Sequence, residues 1–187
     1  MKGAEAILIN AWMLGYKIVV KKRIPKEYRN HQLDEKLRVE RTKQEARLLH
    51  RAKLVGIKCP TVLFVDRFAI GMTKIKGERP KMNKSECISA GKILAHMHKS
   101  GIIHGDFTPV NLLKNRNEIF VIDFGLGFLS SNIEDKAVDA FTMLKSIKNQ
   151  NSFLVGYKKI SHEYEKIMNR MEEIKKRVRY STAKILL

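Results

Sequence analysis

Short apolar runs rich in strand-forming residues dominate the first third of the chain. AILINAWML and KIVVKK flank a turn at Gly15, and together they predict a β-hairpin. TVLFVD and FAIGM predict two further strands. The first part of the chain is therefore expected to form a small sheet.

One long helix is predicted between these two pairs of strands, from about His31 to Val55. Apolar residues recur there at the spacing of one helix face, and Gly56 follows as a stop signal. The residues on this face are Leu33, Leu37, Leu48, Leu49 and Ala52.

The second half of the chain is predicted to be mainly helical. Ser85 would cap a helix that runs to about Ser100 and ends at Gly101. LLK and EIFVID, on either side of the polar turn NRN, predict a second hairpin. From about Asp135 onward the pattern is helical.

A strand-rich first half and a helix-rich second half predict an α+β fold with two lobes and a cleft between them. The polar segment KIKGERPK marks the expected boundary. The predicted N-lobe is residues 1–76, with the phosphate loop, the strand lysine and the long helix. The predicted C-lobe is residues 77–187.

The charge balance is strongly positive. The chain has 37 Lys and Arg against 19 Asp and Glu, a formal net charge of +18. This excess favours an RNA, DNA or acidic-protein partner, and a generic basic surface is the alternative. The predicted contact surfaces are the outer face of the long helix, with Arg38, Lys43 and Arg47, and a C-terminal cluster of Lys175, Lys176 and Arg179.

Cysteine usage and hydropathy suggest a cytoplasmic protein. Cys59 and Cys87 form no CxxC pair, so neither a disulfide framework nor a zinc site is expected. No apolar run approaches the roughly 18 residues that would span a bilayer. Glu5 and Asn10 interrupt the apolar start, so no signal peptide is predicted.

The stretch HGDFTPVNLLKNRNEIFVIDFG, residues 104–125, carries the strongest chemical signal. Asp106 and Asn111 fit the kinase catalytic loop H-x-D-x-x-x-x-N, and Asp123 opens D-F-G. Asp106 would accept the proton of a hydroxyl or orient a water, while Asn111 and Asp123 would hold Mg²⁺ on the phosphates. His104 is expected to orient the loop. Each motif alone is weak, but both in this order predict a kinase-type nucleotide site.

Such a site also needs a lysine on a strand and a glutamate on the following helix. Lys21 follows the apolar run IVV, and strand alternation places Lys22 on the opposite face. Glu45 is preferred as the partner because it shares the inward helix face. The other candidates are Glu35 and Glu40.

The phosphate loop departs from the kinase pattern. G-x-G-x-x-G does not occur, and the absence of a Walker A motif excludes a P-loop NTPase. The candidate loop is Gly3–Ala6, with a single glycine, where backbone N–H groups could still cradle phosphate.

Several segments together resemble the small atypical, RIO-like serine/threonine kinase of the KEOPS complex. They are GAEA, HGDFTPVN, VIDFGLG and the long basic segment VVKKRIPKEYRNHQLDEKLRVERTKQEARLLHRAKLVGI. The resemblance runs over nearly the whole chain. PKEYRNHQLDEKL with R-x-x-x-E-A is its most specific part.

The resemblance implies a two-lobed protein-kinase-like fold, Mg-ATP binding, autophosphorylation on Ser or Thr, and an ATPase role in making threonylcarbamoyl-adenosine in tRNA. It also implies contact with the catalytic ATP-binding subunit of KEOPS and with a small accessory subunit. Carried over by motif, the catalytic residues are Asp106, Lys21 and Glu45, and the metal ligands are Asn111 and Asp123. The implied nucleotide-binding residues are Gly3, Ala4, Glu5, Ala6, Lys21, Met72 and Ile75.

The chain departs from that family in three places. Thr73 replaces an acidic hinge residue, the ending VRYSTAKILL lacks the family's basic tail, and the start at GAEA is expected to lack a few residues. Only about ten residues separate Gly125 from the next predicted helix, and no A-P-E motif follows. We therefore expect a kinase core without a platform for peptide substrates.

Two other classes of function compete with this interpretation. Small-molecule phosphotransferases of the aminoglycoside or choline kinase type also use HGDxxxxN. A non-enzymatic RNA-binding scaffold would explain the charge, but the complete set of motif residues argues against it.

Overall fold

The computed structural model describes the backbone of residues 6–185 and the side chains of residues 6–177, so Gly3, Ala4 and Glu5 lie outside the described residues. The strands are β1 (Ala6–Met13), β2 (Tyr16–Arg23), β3 (Val62–Val65), β4 (Ala69–Thr73), β5 (Ile102–Ile103), β6 (Leu112–Asn115), β7 (Glu118–Val121) and β8 (Phe128–Leu129). The helices are α1 (His31–Leu54), α2 (Lys84–Lys99), α3 (Ile133–Ser146), α4 (Gln150–Lys158) and α5 (Tyr164–Ile185), with a 3₁₀ turn at Pro109–Asn111.

These elements belong to two compact units. The first unit contains the chain up to Glu78 together with Leu112–Gly127. The second contains Arg79–Asn111 together with the chain from Phe128 onward. Six of the described strands belong to the first unit and four of the described helices to the second. The predicted lobe boundary near residue 77 stays a prediction.

The first unit is built on an antiparallel sheet with the strand order β1-β2-β4-β3. The β1–β2 turn places Leu14 and Gly15 at positive φ, 49° and 79°. Two successive residues at positive φ give a hairpin turn whose twist matches that of the strands. The predicted hairpin and the two further strands are all present, and β2 is central, paired with both β1 and β4.

Helix α1 begins after Asn30, whose side chain accepts a hydrogen bond from the Gln32 backbone N–H at 3.0 Å. The C-terminal half of the predicted apolar face is buried, as Leu49 and Ala52 show. The prediction was wrong for the first turns, because Leu33 is 52% exposed. A buried aspartate, Asp34, takes the inward place there.

The carboxylate of Asp34 organises the segment between β2 and α1. It accepts from the Lys26 backbone N–H at 3.3 Å and from Arg38 Nε at 2.6 Å, and Arg29 Nη1 lies 3.6 Å away. Burial would raise the pKa of Asp34, but the hydrogen bond and charge of Arg38 outweigh it, and the pKa is lowered from 3.8. The carboxylate is therefore ionised at neutral pH.

The prediction that Arg38 lies on the outer face of the long helix was wrong. Its side chain is only 13% exposed, and its guanidinium carbon lies 4.0 Å from the centroid of the Phe68 ring. The salt bridge with Asp34 and the cation–π contact draw it inward. Lys43 and Arg47 are exposed, as predicted.

The hairpin of β6 and β7 belongs to the first unit although it follows the predicted catalytic loop in sequence. The Val121 N–H donates to the Lys58 carbonyl at 2.8 Å, and Glu78 and Lys114 exchange two backbone hydrogen bonds of 3.0 and 2.7 Å. The predicted turn has Arg116 at φ 53°. Through these contacts Asp123, two residues after β7, belongs to the same unit as Lys21.

The second unit starts with α2, whose predicted cap was wrong by two residues. Asn83, not Ser85, caps the helix: its side chain accepts from the Glu86 N–H at 3.0 Å, and Glu86 Oε2 accepts from the Asn83 N–H at 3.1 Å. This reciprocal capping box satisfies two backbone donors at once. The end near Ser100 and Gly101, with Gly101 at φ 72°, is as predicted.

Helices α2 and α4 pack closely through glycine. A Cβ on Gly91 would come within 2.1 Å of the Phe153 carbonyl oxygen, and a Cβ on Gly156 within 2.0 Å of the Ile88 carbonyl oxygen. The two backbones can approach each other this closely only without side chains at these positions. Within the described residues, no helix combines the length and apolar character needed to span a membrane.

Replacing Asp34 with asparagine should lower the melting temperature at neutral pH, because Arg29 and Arg38 lose a buried anion. The folded-state pKa lies below 3.8, so the wild-type stabilisation is present above that pH and is lost as pH falls through the folded-state pKa. The gap in melting temperature between the two proteins should therefore narrow as pH falls below 3.8. Glu40→Gln, on the exposed side of the same helix, is the control. An unchanged gap for Asp34→Asn at acidic pH would contradict this assignment.

Candidate active site

Lys21 lies on β2, and strand alternation turns it away from Lys22. Lys21 is buried and Lys22 is exposed. The Lys21 ammonium donates to Glu45 Oε1 on α1 at 2.7 Å. Of the other candidate glutamates, Glu35 forms a salt bridge with Arg67 and Glu40 is exposed. The structure thus brings together the lysine and the glutamate that were preferred from the sequence.

A second cation, which the sequence reasoning missed, holds the other oxygen of Glu45. Arg23 Nη2 donates to Glu45 Oε2 at 2.6 Å, and Arg23 is 4% exposed. The signal was present in the alternation, because Arg23 stands two residues after Lys21 and shares its face. A buried carboxylate needs such pairing to remain charged. The two cations therefore hold both oxygens of Glu45 and fix the side chain in one orientation.

Asp123 lies next to the same lysine. Its Oδ1 accepts from Lys21 Nζ at 2.7 Å and from the Gly125 N–H at 3.1 Å. Its side chain remains 49% exposed, so a ligand can reach it. Asp123 has φ 63°, a left-handed conformation that aspartate tolerates better than most residues. A Cβ on Gly125 would stand 2.9 Å from Asp123 Oδ1, so a larger residue there would press on this carboxylate.

The catalytic loop belongs to the second unit. Asn111 Nδ2 donates to the Asp106 carbonyl and to Asp106 Oδ2, both at 2.8 Å. Gly105 has φ 78°, a conformation that favours glycine over the arginine found in many kinases. The loop thus presents the Asp106 carboxylate beside the side-chain amide of Asn111.

A buried aspartate on α3, Asp139, anchors the start of this loop. Its Oδ2 accepts from the His104 N–H at 2.7 Å, and its Oδ1 accepts from the Gly105 N–H at 3.1 Å. Asp139 is 1% exposed. The sequence reasoning missed it, because an aspartate inside a helical pattern gives no local sign of a contact 35 residues away.

His98 and Tyr157 support Asp139 from the interior. His98 Nε2 lies 3.2 Å from Asp139 Oδ2, and His98 Nδ1 lies 2.6 Å from the Tyr157 hydroxyl. Burial raises the pKa of Tyr157, so its phenol keeps its proton and can donate to Nδ1. That places the imidazole proton on Nε2, facing Asp139. His104, fully buried, accepts from the Asp106 N–H at 3.3 Å and so orients the loop.

The remaining predicted nucleotide-binding residues are placed as follows. Ala6 begins β1, opposite Arg23 of β2, and is buried. Met72 is buried on β4, and Ile75, shortly after β4, is half-buried. Thr73, at the position of the missing hinge acid, accepts from the Thr61 N–H through its hydroxyl at 2.9 Å. Its hydroxyl is therefore used to hold the strand pair.

The donor types of Asp123 and Asn111 suit magnesium. Mg²⁺ prefers oxygen ligands and is commonly held by one or two carboxylates together with substrate phosphates. The half-exposed carboxylate of Asp123 in the first unit and the amide oxygen of Asn111 in the second unit are each a donor of this type. In the described part of the chain, no group of three or more His, Cys, Asp or Glu side chains could hold a metal ion.

Comparison with protein families identifies a RIO domain over residues 13–145. A probable serine/threonine-protein kinase, a BUD32 homologue from Archaeoglobus fulgidus, is 38% identical over 173 residues, which cover 87% of this chain and 88% of that protein. A probable bifunctional tRNA threonylcarbamoyladenosine biosynthesis protein from Methanosarcina acetivorans is 33% identical over 190 residues. The match covers 96% of this chain but 35% of the bifunctional protein, so the chain spans about a third of that relative's length.

Solved structures share the fold at low sequence identity. The Rio2 kinase–ADP/Mg²⁺–phosphoaspartate complex from Chaetomium thermophilum matches with a TM-score of 0.66 and 15% identity, covering 97% of this chain and 70% of the kinase. The gentamicin–APH(2″)-IIa complex matches with a TM-score of 0.61 and 15% identity, covering 91% and 78%. The predicted protein-kinase-like α+β fold is confirmed.

Lys21→Ala should reduce ATP turnover about 100-fold, because it removes the cation that is predicted to face developing phosphate charge. Lys22→Ala should reduce it much less, since Lys22 is exposed on the opposite face of β2. Steady-state ATPase rates of the two variants, with melting temperatures as the folding control, test this difference. Equal losses in the two variants, or a larger loss in Lys22→Ala, would refute the assignment of Lys21.

Proposed function

Because the chain belongs to the RIO domain family and has the fold of an atypical protein kinase, we propose that it binds Mg-ATP, phosphorylates itself on Ser or Thr, and hydrolyses ATP. We further propose that it does so within the KEOPS complex, in the threonylcarbamoyl-adenosine modification of tRNA. The names of its relatives support the second step, since several are probable tRNA threonylcarbamoyladenosine biosynthesis proteins.

One observation carries the proposal: Lys21 is held between Glu45 and Asp123, at 2.7 Å from each. A lysine fixed by a helix glutamate is the arrangement that kinases use to hold the phosphates of ATP. Asp123 would exchange its contact with Lys21 for Mg²⁺ when nucleotide binds. The ammonium of Lys21, still fixed by Glu45, would then be available to phosphate oxygens.

The catalytic loop supplies the remaining roles. Asp106 would accept the proton of a serine or threonine hydroxyl, or orient a water for hydrolysis. Asn111 would hold Mg²⁺ through its amide oxygen, and its N–H group keeps the Asp106 carboxylate in place. Mg²⁺, when bound, would neutralise charge on the transferred phosphoryl group.

The proposed partners are the catalytic ATP-binding subunit of KEOPS, its small accessory subunit, and tRNA. In the bifunctional relatives, about two thirds of the polypeptide is not matched by this chain. Fusion to a second activity in those proteins supports a physical partnership here. The net charge of +18 supports contact with tRNA. A cytoplasmic location is part of the same proposal.

Small-molecule phosphotransfer is the second candidate function. It is favoured by the shared fold of aminoglycoside and macrolide phosphotransferases. The basic charge gives no reason for a small acceptor, whereas it does for tRNA. ATP turnover measured alone, with a tRNA transcript and with an aminoglycoside separates the two: stimulation only by the aminoglycoside would overturn the proposal.

Asp106→Ala should reduce both ATP hydrolysis and autophosphorylation about 100-fold or more, because it removes the group that accepts the proton. The fold should be retained, since Asp106 is only partly buried and its loop is anchored by Asp139. Phosphate release and mass spectrometry after incubation with ATP measure the two activities. Near-wild-type turnover in a folded variant would remove Asp106 from the mechanism.

Asp123→Asn should abolish activity together with its dependence on Mg²⁺. The neutral amide weakens metal binding, and it also removes a charge from Lys21. Titrating Mg²⁺ against ATPase rate tests this prediction, and Asp66→Asn, an exposed aspartate of the same unit, is the matched control. A variant that keeps the wild-type magnesium profile would show that Asp123 is no metal ligand.

A further inference from the structure

A basic pocket lies in the first unit where β2 leads into α1. Among the described residues, five of the six that line it are cationic: Arg23, Lys26, Arg29, Arg38 and Arg41, with Ile24. The pocket is built from the segment RIPKEYRNHQLDEKLRVER, residues 23–41.

The pocket is held open by fixed ion pairs. Asp34 is shared between Arg38 at 2.6 Å and Arg29 at 3.6 Å, and it also accepts from the Lys26 backbone N–H. Phe68 supports the Arg38 guanidinium at 4.0 Å. Cations that are already oriented lose little side-chain entropy when a ligand binds. The pocket is therefore preorganised for a ligand of opposite charge.

Guanidinium groups give this pocket its chemistry. Each carries five N–H donors in a planar fork, so an arginine that holds one carboxylate keeps further donors for a second anion. Four arginines and one lysine around one cavity match the several oxygens of a phosphate group better than a single carboxylate. A phosphate is therefore the ligand whose charge and oxygens match the lining of this pocket.

We propose that this pocket binds a phosphate group of the RNA backbone and couples RNA binding to the Lys21–Glu45 pair through Arg23. The proposal rests on the proposed function, because it takes tRNA as the RNA. RNA is favoured over a phosphorylated protein because residues 16–53 contain 13 Lys and Arg against 5 Asp and Glu. A single phosphorylated side chain would need the pocket alone, whereas a polyanion also uses the surrounding basic segment.

Arg23 carries the coupling because it belongs to both sites. It lines the pocket, and its Nη2 also donates to Glu45 Oε2 at 2.6 Å and to the Arg41 carbonyl at 3.4 Å. A phosphate in the pocket competes with Glu45 for this guanidinium. Glu45 then pairs more strongly with Lys21, which loosens the contact of Lys21 with Asp123 and exposes that carboxylate to Mg²⁺. RNA binding should therefore stimulate ATP turnover.

The test compares two double variants of the full chain with the same loss of charge. The double variant Lys26→Gln, Arg41→Gln removes two cations of the pocket. It keeps Arg29 and Arg38, which form the salt bridges with Asp34. Lys43→Gln with Arg47→Gln removes one lysine and one arginine from exposed positions on the same helix. Binding of an unmodified tRNA transcript is measured by fluorescence anisotropy at several salt concentrations, and ATP turnover is measured with and without the transcript.

The pocket variant should bind the transcript about tenfold more weakly than wild type, because charge-assisted contacts are lost. Its log–log salt slope should fall by about one for each phosphate contact removed. Its stimulation by tRNA should disappear, while the control variant keeps stimulation and loses less affinity. Equal losses of affinity and stimulation in the two variants would show diffuse attraction only and overturn the proposal.

Arg41→Lys is a second variant, for the case that the double variant does not fold. It keeps the positive charge at position 41 and removes the planar guanidinium group. A reduced affinity for the transcript in this folded variant supports the pocket, and an unchanged affinity contradicts it. A phosphoserine peptide is tested in parallel. If the pocket variant loses the peptide but not the transcript, the pocket serves a phosphorylated protein and the RNA proposal falls. Absence of transcript binding to wild type also overturns it, whereas intact basal ATP turnover would leave the proposed function standing.

Discussion

The buried carboxylate of Glu45 is the group on which the first unit depends. It is 1% exposed, and its two oxygens are held by different cations of β2, Lys21 and Arg23. Removing one partner of such a buried pair leaves an uncompensated charge in the interior, which costs several kcal/mol. The contact therefore fixes α1 against the sheet and fixes the direction of Lys21 in one step. Stability and the geometry proposed for ATP binding rest on the same atoms.

In the second unit, Asp139 is a buried carboxylate with a similar positioning role. A buried carboxylate on a helix again holds a segment that carries chemistry, here through the backbone N–H groups of His104 and Gly105. These hydrogen bonds use backbone groups of the loop, so its anchoring to Asp139 does not occupy the side chains of Asp106 and Asn111. His98 and Tyr157 keep Asp139 itself in place. In both units a buried acid serves as the fixed point, and the residues assigned to chemistry are positioned from it.

The features that followed from local sequence were predicted well, because they depend on neighbours in the chain. Strand alternation separates Lys21 from Lys22, and turn residues mark both hairpins. Contacts over long sequence distances left no local pattern, which is why Asp139 was missed. Competition between local signals explains the other errors. Asn83 displaced Ser85 as cap because Glu86 stands three residues after Asn83 and completes a capping box. Asp34 displaced Leu33 from the interior because two arginines offset the cost of its burial.

The distribution of positive charge decides how the net value of +18 should be interpreted. Some of these cations are paired inside the protein, where Arg23 and Arg38 hold buried carboxylates. A count of basic residues along the sequence therefore overstates the surface that a polyanion can meet. The same ion pairs concentrate positive charge in one place, because they orient guanidinium groups toward one pocket instead of leaving them mobile in solvent. Arg23 lines that pocket and also holds Glu45. A ligand that attracts the Arg23 guanidinium must therefore change the contact between Glu45 and Lys21. In the coupling proposed above, the basic segment is linked to the proposed ATP site through the side chain of Arg23.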